Sequence, residues 1–218
     1  MATERKSAWS ALDGVFGLLS RVGRGLADSL SGNAERAAVF KVAGMIAALD
    51  GSVSADETAY LRRTILEQTG ESASPRLLEE AEASSRAILD CVNRTAGDGV
   101  EATFVREAMA AMRPHLAGFS RQEFKATLVT FISVAMADGE FCGVERSAIK
   151  AFSRAYIDEF VRTLASRYGH AKTVSADRSP VHAELLEFEA AVEAPVAALM
   201  RDPSDAAANA AVERLVKG

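Results

Sequence analysis

Two short stretches carry the residue types most able to do chemistry. One is Asp50-Gly51-Ser52-Val53 with Glu57 seven places after the aspartate, and the other is Asp138-Gly139-Glu140-Phe141 with Glu145. Asp50 and Asp138, Gly51 and Gly139, and Glu57 and Glu145 share one offset of 88 positions. Each copy follows an apolar helical pattern and opens another, so the pair reads as an internal repeat of two units. Local structure explains part of the pattern. Gly51 suits the left-handed residue that ends a helix, and Ser54-Ala55-Asp56-Glu57 has the spacing of a capping box. The aspartates fit less well, because a carboxylate at a helix C-terminus faces the negative end of the macrodipole at a cost of about 0.3–1 kcal/mol. Cys142 occupies the place of Ser54 in the second copy, so capping is not expected to account for Glu145.

If the halves pack about a pseudo-two-fold axis, Asp50, Glu57, Asp138 and Glu145 converge. Four ionised carboxylates in one place repel, and protonation or a cation relieves the repulsion. Oxygen donors of this kind suit calcium, magnesium or manganese rather than zinc. The spacing is not that of an EF-hand, whose bidentate Glu stands at the twelfth position of the loop. Asp56 and Glu140 are acidic neighbours that do not match between the halves. The alternative is two solvated corners that never meet.

The elements that position these residues read as helices throughout. The chain has 218 residues, 49% of them hydrophobic but only 6% aromatic, with 5 prolines. That composition favours closely packed helices, an all-α fold. A net charge of −5 with no basic stripe argues against a nucleic-acid binder. Cys91 and Cys142 lack metal-ligand spacing and read as reduced thiols, Cys142 as a small filler. No signal peptide or apolar run of membrane-spanning length is visible. A cytoplasmic protein is expected.

Trp9, Leu12, Phe16, Leu19, Val22, Leu26 and Leu30 recur at three- and four-residue steps over residues 8–30. Arg5, Lys6, Arg21 and Arg24 flank or oppose that stripe, while Gly14, Gly17, Gly23 and Gly25 weaken the helix. Such a segment can lie on a membrane, peripherally at the inner membrane for example, or in a partner's groove, through Trp9, Leu12, Phe16 and Leu19. It can equally dock on its own domain. Helices are then expected from Asn33 to Asp50, from Ala55 to Thr69, from Ser74 to about Asn93, from Val100 to about Arg113, from Ser120 to Asp138 and from Val144 to Tyr168. Residues 170–180 read as a linker, followed by an acidic helix over 181–200 and a short Ala-rich helix capped by Ser204. The expected organisation is an amphipathic N-terminal helix (1–31), a helical domain (32–169), and a linker with a helical tail (170–218).

The duplicated corners, Ala48-Leu49-Asp50-Gly51-Ser52-Val53 with Glu57 and Met136-Ala137-Asp138-Gly139-Glu140-Phe141 with Glu145, resemble the tellurite-resistance TerB family over roughly residues 33–165. The resemblance implies a helical bundle with internal pseudo-symmetry and an acidic centre that takes a divalent cation, with Asp50, Glu57, Asp138 and Glu145 as its ligands. It also implies a part in bacterial stress, tellurite or phage response beside protein partners in a membrane-linked complex. No nucleophile, general base or phosphate-binding loop is recognisable, so no enzyme activity and no small-molecule substrate are expected. The runner-up is a helical scaffold that docks on a membrane or protein through its terminal helices and has no functional metal site.

Overall fold

The computed structural model describes residues 33–70, 74–95, 99–115, 121–138, 142–167, 191, 194–195, 198 and 205–217. Its α-helices are α1 (Asn33–Ile46), α2 (Ala55–Thr69), α3 (Ser74–Thr95), α4 (Val100–Met112), α5 (Arg121–Ala135), α6 (Gly143–Arg167) and α7 (Ala206–Lys217), with a 3-10 turn at Arg113–His115. No strand occurs among the described residues, as expected of an all-α chain. The N-terminal stripe with Trp9, Leu12, Phe16 and Leu19, the residue Glu140 and most of the 170–200 segment lie outside them.

Helix α1 is the hub and packs against α2, α3, α4 and α5. It meets α3 most closely because Gly44 has no side chain. A Cβ at that position would lie 2.3 Å from the carbonyl oxygen of Ala81. Ser85 uses the same close approach to donate its hydroxyl to the Gly44 carbonyl. Both α1 and α5 are wrapped by neighbours. On α1, Val42, Ala43 and Ile46 have no more than traces of exposed surface, and every residue from Thr127 to Ala137 is buried.

An aromatic cluster holds the second half together. Phe131 meets Phe152 edge-on at a centroid separation of 5.4 Å, Phe104 of α4 meets Phe152 at 6.3 Å, and Phe124 stacks on Tyr156 at 4.2 Å. Such pairs add about 0.5–1.5 kcal/mol each beyond their burial. Met109 and Met112 fill this core, as their spacing suggests.

The repeat is visible but unequal. The 88-residue offset maps α1 onto α5 and α2 onto the first part of α6. Helix α2 stops at Gly70, whose φ of 74° is costly for any residue with a Cβ. The equivalent position is Asp158, and there α6 continues unbroken to Arg167. Leu66 of α2 is 44% exposed, because its direction on the helix lies away from the buried Leu61 and Ile65. The tail returns to the body, with Ala198 and Ala208 packing on the main core. Asp205 rather than Ser204 caps α7, accepting hydrogen bonds from the N–H groups of Ala207 (2.9 Å) and Ala208 (3.0 Å). No helix among the described residues is long and apolar enough to cross a membrane.

Candidate functional site

The first corner lies between α1 and α2. Three successive turns, Ala48 N–H to Met45, Leu49 N–H to Ile46 and Gly51 N–H to Ala48, bring the chain out of α1. Gly51 sits at φ 95°, a conformation open to glycine. Asp50 stands exposed beyond the last turn and folds back on the loop. Its carboxylate accepts the Ser52 N–H at 2.8 Å and the Ser52 hydroxyl at 3.0–3.1 Å. This local turn answers the expected cost of an acid at a helix end, since the carboxylate has two short hydrogen bonds.

Glu57 follows in the first turn of α2. Its Oε2 accepts the Ser54 N–H at 2.8 Å, and Ser54 Oγ accepts the Glu57 N–H at 3.0 Å, which completes the expected capping box. The second corner repeats this geometry with a sulfur atom. Glu145 Oε2 accepts the Cys142 N–H at 2.8 Å, and the Glu145 N–H reaches Cys142 Sγ at 3.5 Å. The expectation that capping leaves Glu145 unexplained, with Cys142 as filler, is therefore corrected. Cysteine takes the N-cap place, with a longer and weaker acceptor than serine.

Capping accounts for one oxygen of each glutamate but not for where the two carboxyls are placed. Glu57 is 2% exposed and Glu145 is 3% exposed, which is rare for this residue type. Burial pushes Glu57 up to about 7, and the charges of Asp138 and Asp50 add to the rise. Burial likewise pushes Glu145 up to about 7, with Glu57 and Asp50 adding to it. These influences cross the repeat: Glu57 of the first half feels the charge of Asp138 of the second, and Glu145 of the second feels the charges of Glu57 and Asp50 of the first. The contacts of α5 with both α1 and α2 bring the corners together. Asp50, Glu57, Asp138 and Glu145 thus form one electrostatic neighbourhood, with the glutamates buried, Asp138 half-buried and Asp50 at its outer edge. Asp56 is half-buried on the first turn of α2. Burial also pushes the Cys142 thiol up, which keeps it a neutral cap rather than a thiolate.

This arrangement favours protons or a cation. Two buried carboxyls near neutrality exchange a proton readily, and a divalent ion would replace that proton. The donor set, oxygen atoms with the sulfur committed to capping, fits a hard cation. Among the described residues, no three His, Cys, Asp or Glu side chains already surround a common point.

Sequence reasoning missed a third buried acid. Glu123 of α5 is 5% exposed, and its charge adds to the effect of burial in holding the Tyr156 hydroxyl well above the ordinary phenol range. The Ser120-Arg121-Gln122-Glu123 spacing is that of a capping box, and no local signal marks the burial of Glu123. Among known families, the chain matches the one described as tellurite resistance protein TerB, over residues 35–157, more than half the chain. No curated protein and no solved structure matches.

Proposed function

Because the chain belongs to the tellurite-resistance TerB family, we propose that it acts as a non-enzymatic adaptor that takes up a divalent cation where its two corners meet. Calcium, magnesium or manganese suits the carboxylate donors. The observation that carries the reading is the coupling of acids across the repeat, Glu57 with Asp138 and Glu145 with Asp50. Asp50, Glu57, Asp138 and Glu145 would hold the ion, which would neutralise the buried charge and tie the α1–α2 corner to the α5–α6 corner. The setting is a bacterial stress, tellurite-resistance or phage-response system, with protein partners in the cytoplasm or at the periphery of a membrane complex. Titration calorimetry with calcium, magnesium and manganese tests it. The Asp50→Asn/Asp138→Asn variant is expected to lose most of the affinity, and undiminished binding would remove the cation from the proposal.

A second reading rests on the carboxylates not being gathered around a common point among the described residues. In it the body is a scaffold, the corners are structural, and the terminal segments dock on a protein or membrane. Liposome flotation with and without residues 1–31 separates the two, since only the membrane version of this reading requires flotation that depends on those residues.

A further inference from the structure

A cleft of about 650 Å³ opens where α1, α3 and α4 meet, and none of the four corner acids lines it. Helix α3 supplies one side over about four turns, from Glu80 through Ser84, Ile88 and Cys91 to Arg94, a run of about 21 Å. Met45 of α1 adds to the floor, where Met45, Ser84, Ile88 and Cys91 are all buried. Ser84 spends its hydroxyl proton on the Glu80 carbonyl at 2.8 Å, so the floor offers mainly carbon and sulfur. Ala87, exposed on the same face of α3, leaves the floor open to solvent. The volume lies within the range of small-molecule sites, roughly 300–1,000 Å³.

The charged groups of the cleft are three cations, Lys41, Arg94 and Arg106, and two acids, Glu80 and Glu107. Both acids are already engaged, Glu80 with Arg76 at 2.9 Å and Glu107 with Arg106 at 3.2 Å. Among the described residues no acid pairs with Lys41 or Arg94. Arg94 donates only its Nε, to the Asp90 carbonyl at 3.1 Å. The Arg106–Glu107 pair is exposed and therefore weak, so Arg106 can turn to a better acceptor. Arg94 lies in the last turn of α3, Thr103 in the first turn of α4 and Arg106 in the second. The α3–α4 hairpin thus gathers two guanidinium groups and a hydroxyl at one end of the apolar floor.

We infer that this cleft binds a fatty acid, a single apolar chain with one carboxylate head. The head lies between Arg94, Arg106 and Thr103, and the chain runs along Cys91, Ile88 and Ala87 to Met45. Guanidinium groups match a carboxylate through paired hydrogen bonds. The cleft carries one more cation than acids, which a monoanion balances and a phosphate dianion exceeds. Each buried methylene adds to the affinity, so head and chain are both required. About a dozen residues line the cleft, whereas a stable protein partner covers roughly 20–30 on each side, which favours a small ligand over a docked protein.

Titration calorimetry of the full chain with dodecanoate, in EDTA and below the micelle concentration, is expected to show saturable binding of one ligand per chain. EDTA keeps metal from the corners, so the outcome is independent of the cation proposed there. Dodecyltrimethylammonium has the same chain and the opposite charge, and butyrate has the same head and little chain. Each is expected to bind at least about tenfold more weakly. Arg94→Gln/Arg106→Gln and Ala87→Glu change only exposed positions. Both are expected to retain helical circular dichroism and to lower dodecanoate affinity about tenfold or more. Arg86→Gln, on α3 but outside the cleft, is expected to leave it unchanged. Absence of saturable binding overturns the proposal, as does equal binding of the ammonium or undiminished affinity in the cleft variants. Flotation with phosphatidylglycerol vesicles that the cleft variants abolish, without binding of free dodecanoate, also overturns it and assigns the cleft to a membrane surface.

Discussion

Replacing Glu57 with glutamine separates the charge of that side chain from its shape. Glutamine still offers an oxygen to the Ser54 N–H, so the 2.8 Å capping bond is retained. What disappears is the ability to ionise. The carboxyl has a reference value of 4.5 and stands near 7 when folded. At about 1.4 kcal/mol for each tenfold change in proton affinity, the full difference approaches ~3 kcal/mol. Residual solvent access and coupling to Glu145 reduce the usable part to roughly 2 kcal/mol. The sign follows from proton counting. Between pH 4.5 and 7 the folded state holds the proton more tightly than the unfolded chain, so stability falls as pH rises through that window and levels off above it. Urea unfolding of wild type and Glu57→Gln in EDTA, from pH 5 to pH 8.5, is the assay. The two proteins are expected to be nearly equal at pH 5, and the glutamine variant more stable by roughly 2 kcal/mol at pH 8.5. Parallel curves across the range would refute the claim that Glu57 is held near neutrality by its surroundings.

Other substitutions probe the frame around the corners. Gly44→Ala places a methyl group against the Ala81 carbonyl and is expected to cost roughly 2–3 kcal/mol by forcing α1 and α3 apart, read by urea unfolding. Cys142→Ser restores the oxygen cap found at Ser54 and is expected to stabilise by a few tenths to about 1 kcal/mol, whereas Ser54→Ala costs about 1 kcal/mol, both read by thermal unfolding. Phe152→Ala removes the ring shared by Phe104 and Phe131 and is expected to cost about 3–5 kcal/mol.

Much of the fold is legible because helix signals are local. Gly70, the Ser54 capping box and the start at Ser74 fix element ends within a few residues of one another. The repeat is legible because the same acids recur at the same offset. What escapes sequence reading depends on distant partners. Nothing near Leu66 says that it faces outward, since the apolar pattern of α2 also accommodates it on the inner face. Cys142 looks like a filler until its sulfur is seen beside the Glu145 N–H. The burial of Glu123 is set by how α5 and α6 meet. At the candidate site, the shared offset of the acids is readable in the sequence, but the depth of Glu57 and Glu145 is not, because burial depends on how α5 packs against both α1 and α2.

The unbroken enclosure of Thr127 to Ala137 has a consequence for descent. A helix with one wet face can drift in sequence on that face while its dry face stays fixed. Here no such freedom exists over three turns, so an altered side chain must be answered by a change in whatever touches it. Since α1 is almost as enclosed and touches α5 directly, each half forms part of the other's environment. Neither could now be exchanged for its twin without rebuilding the other.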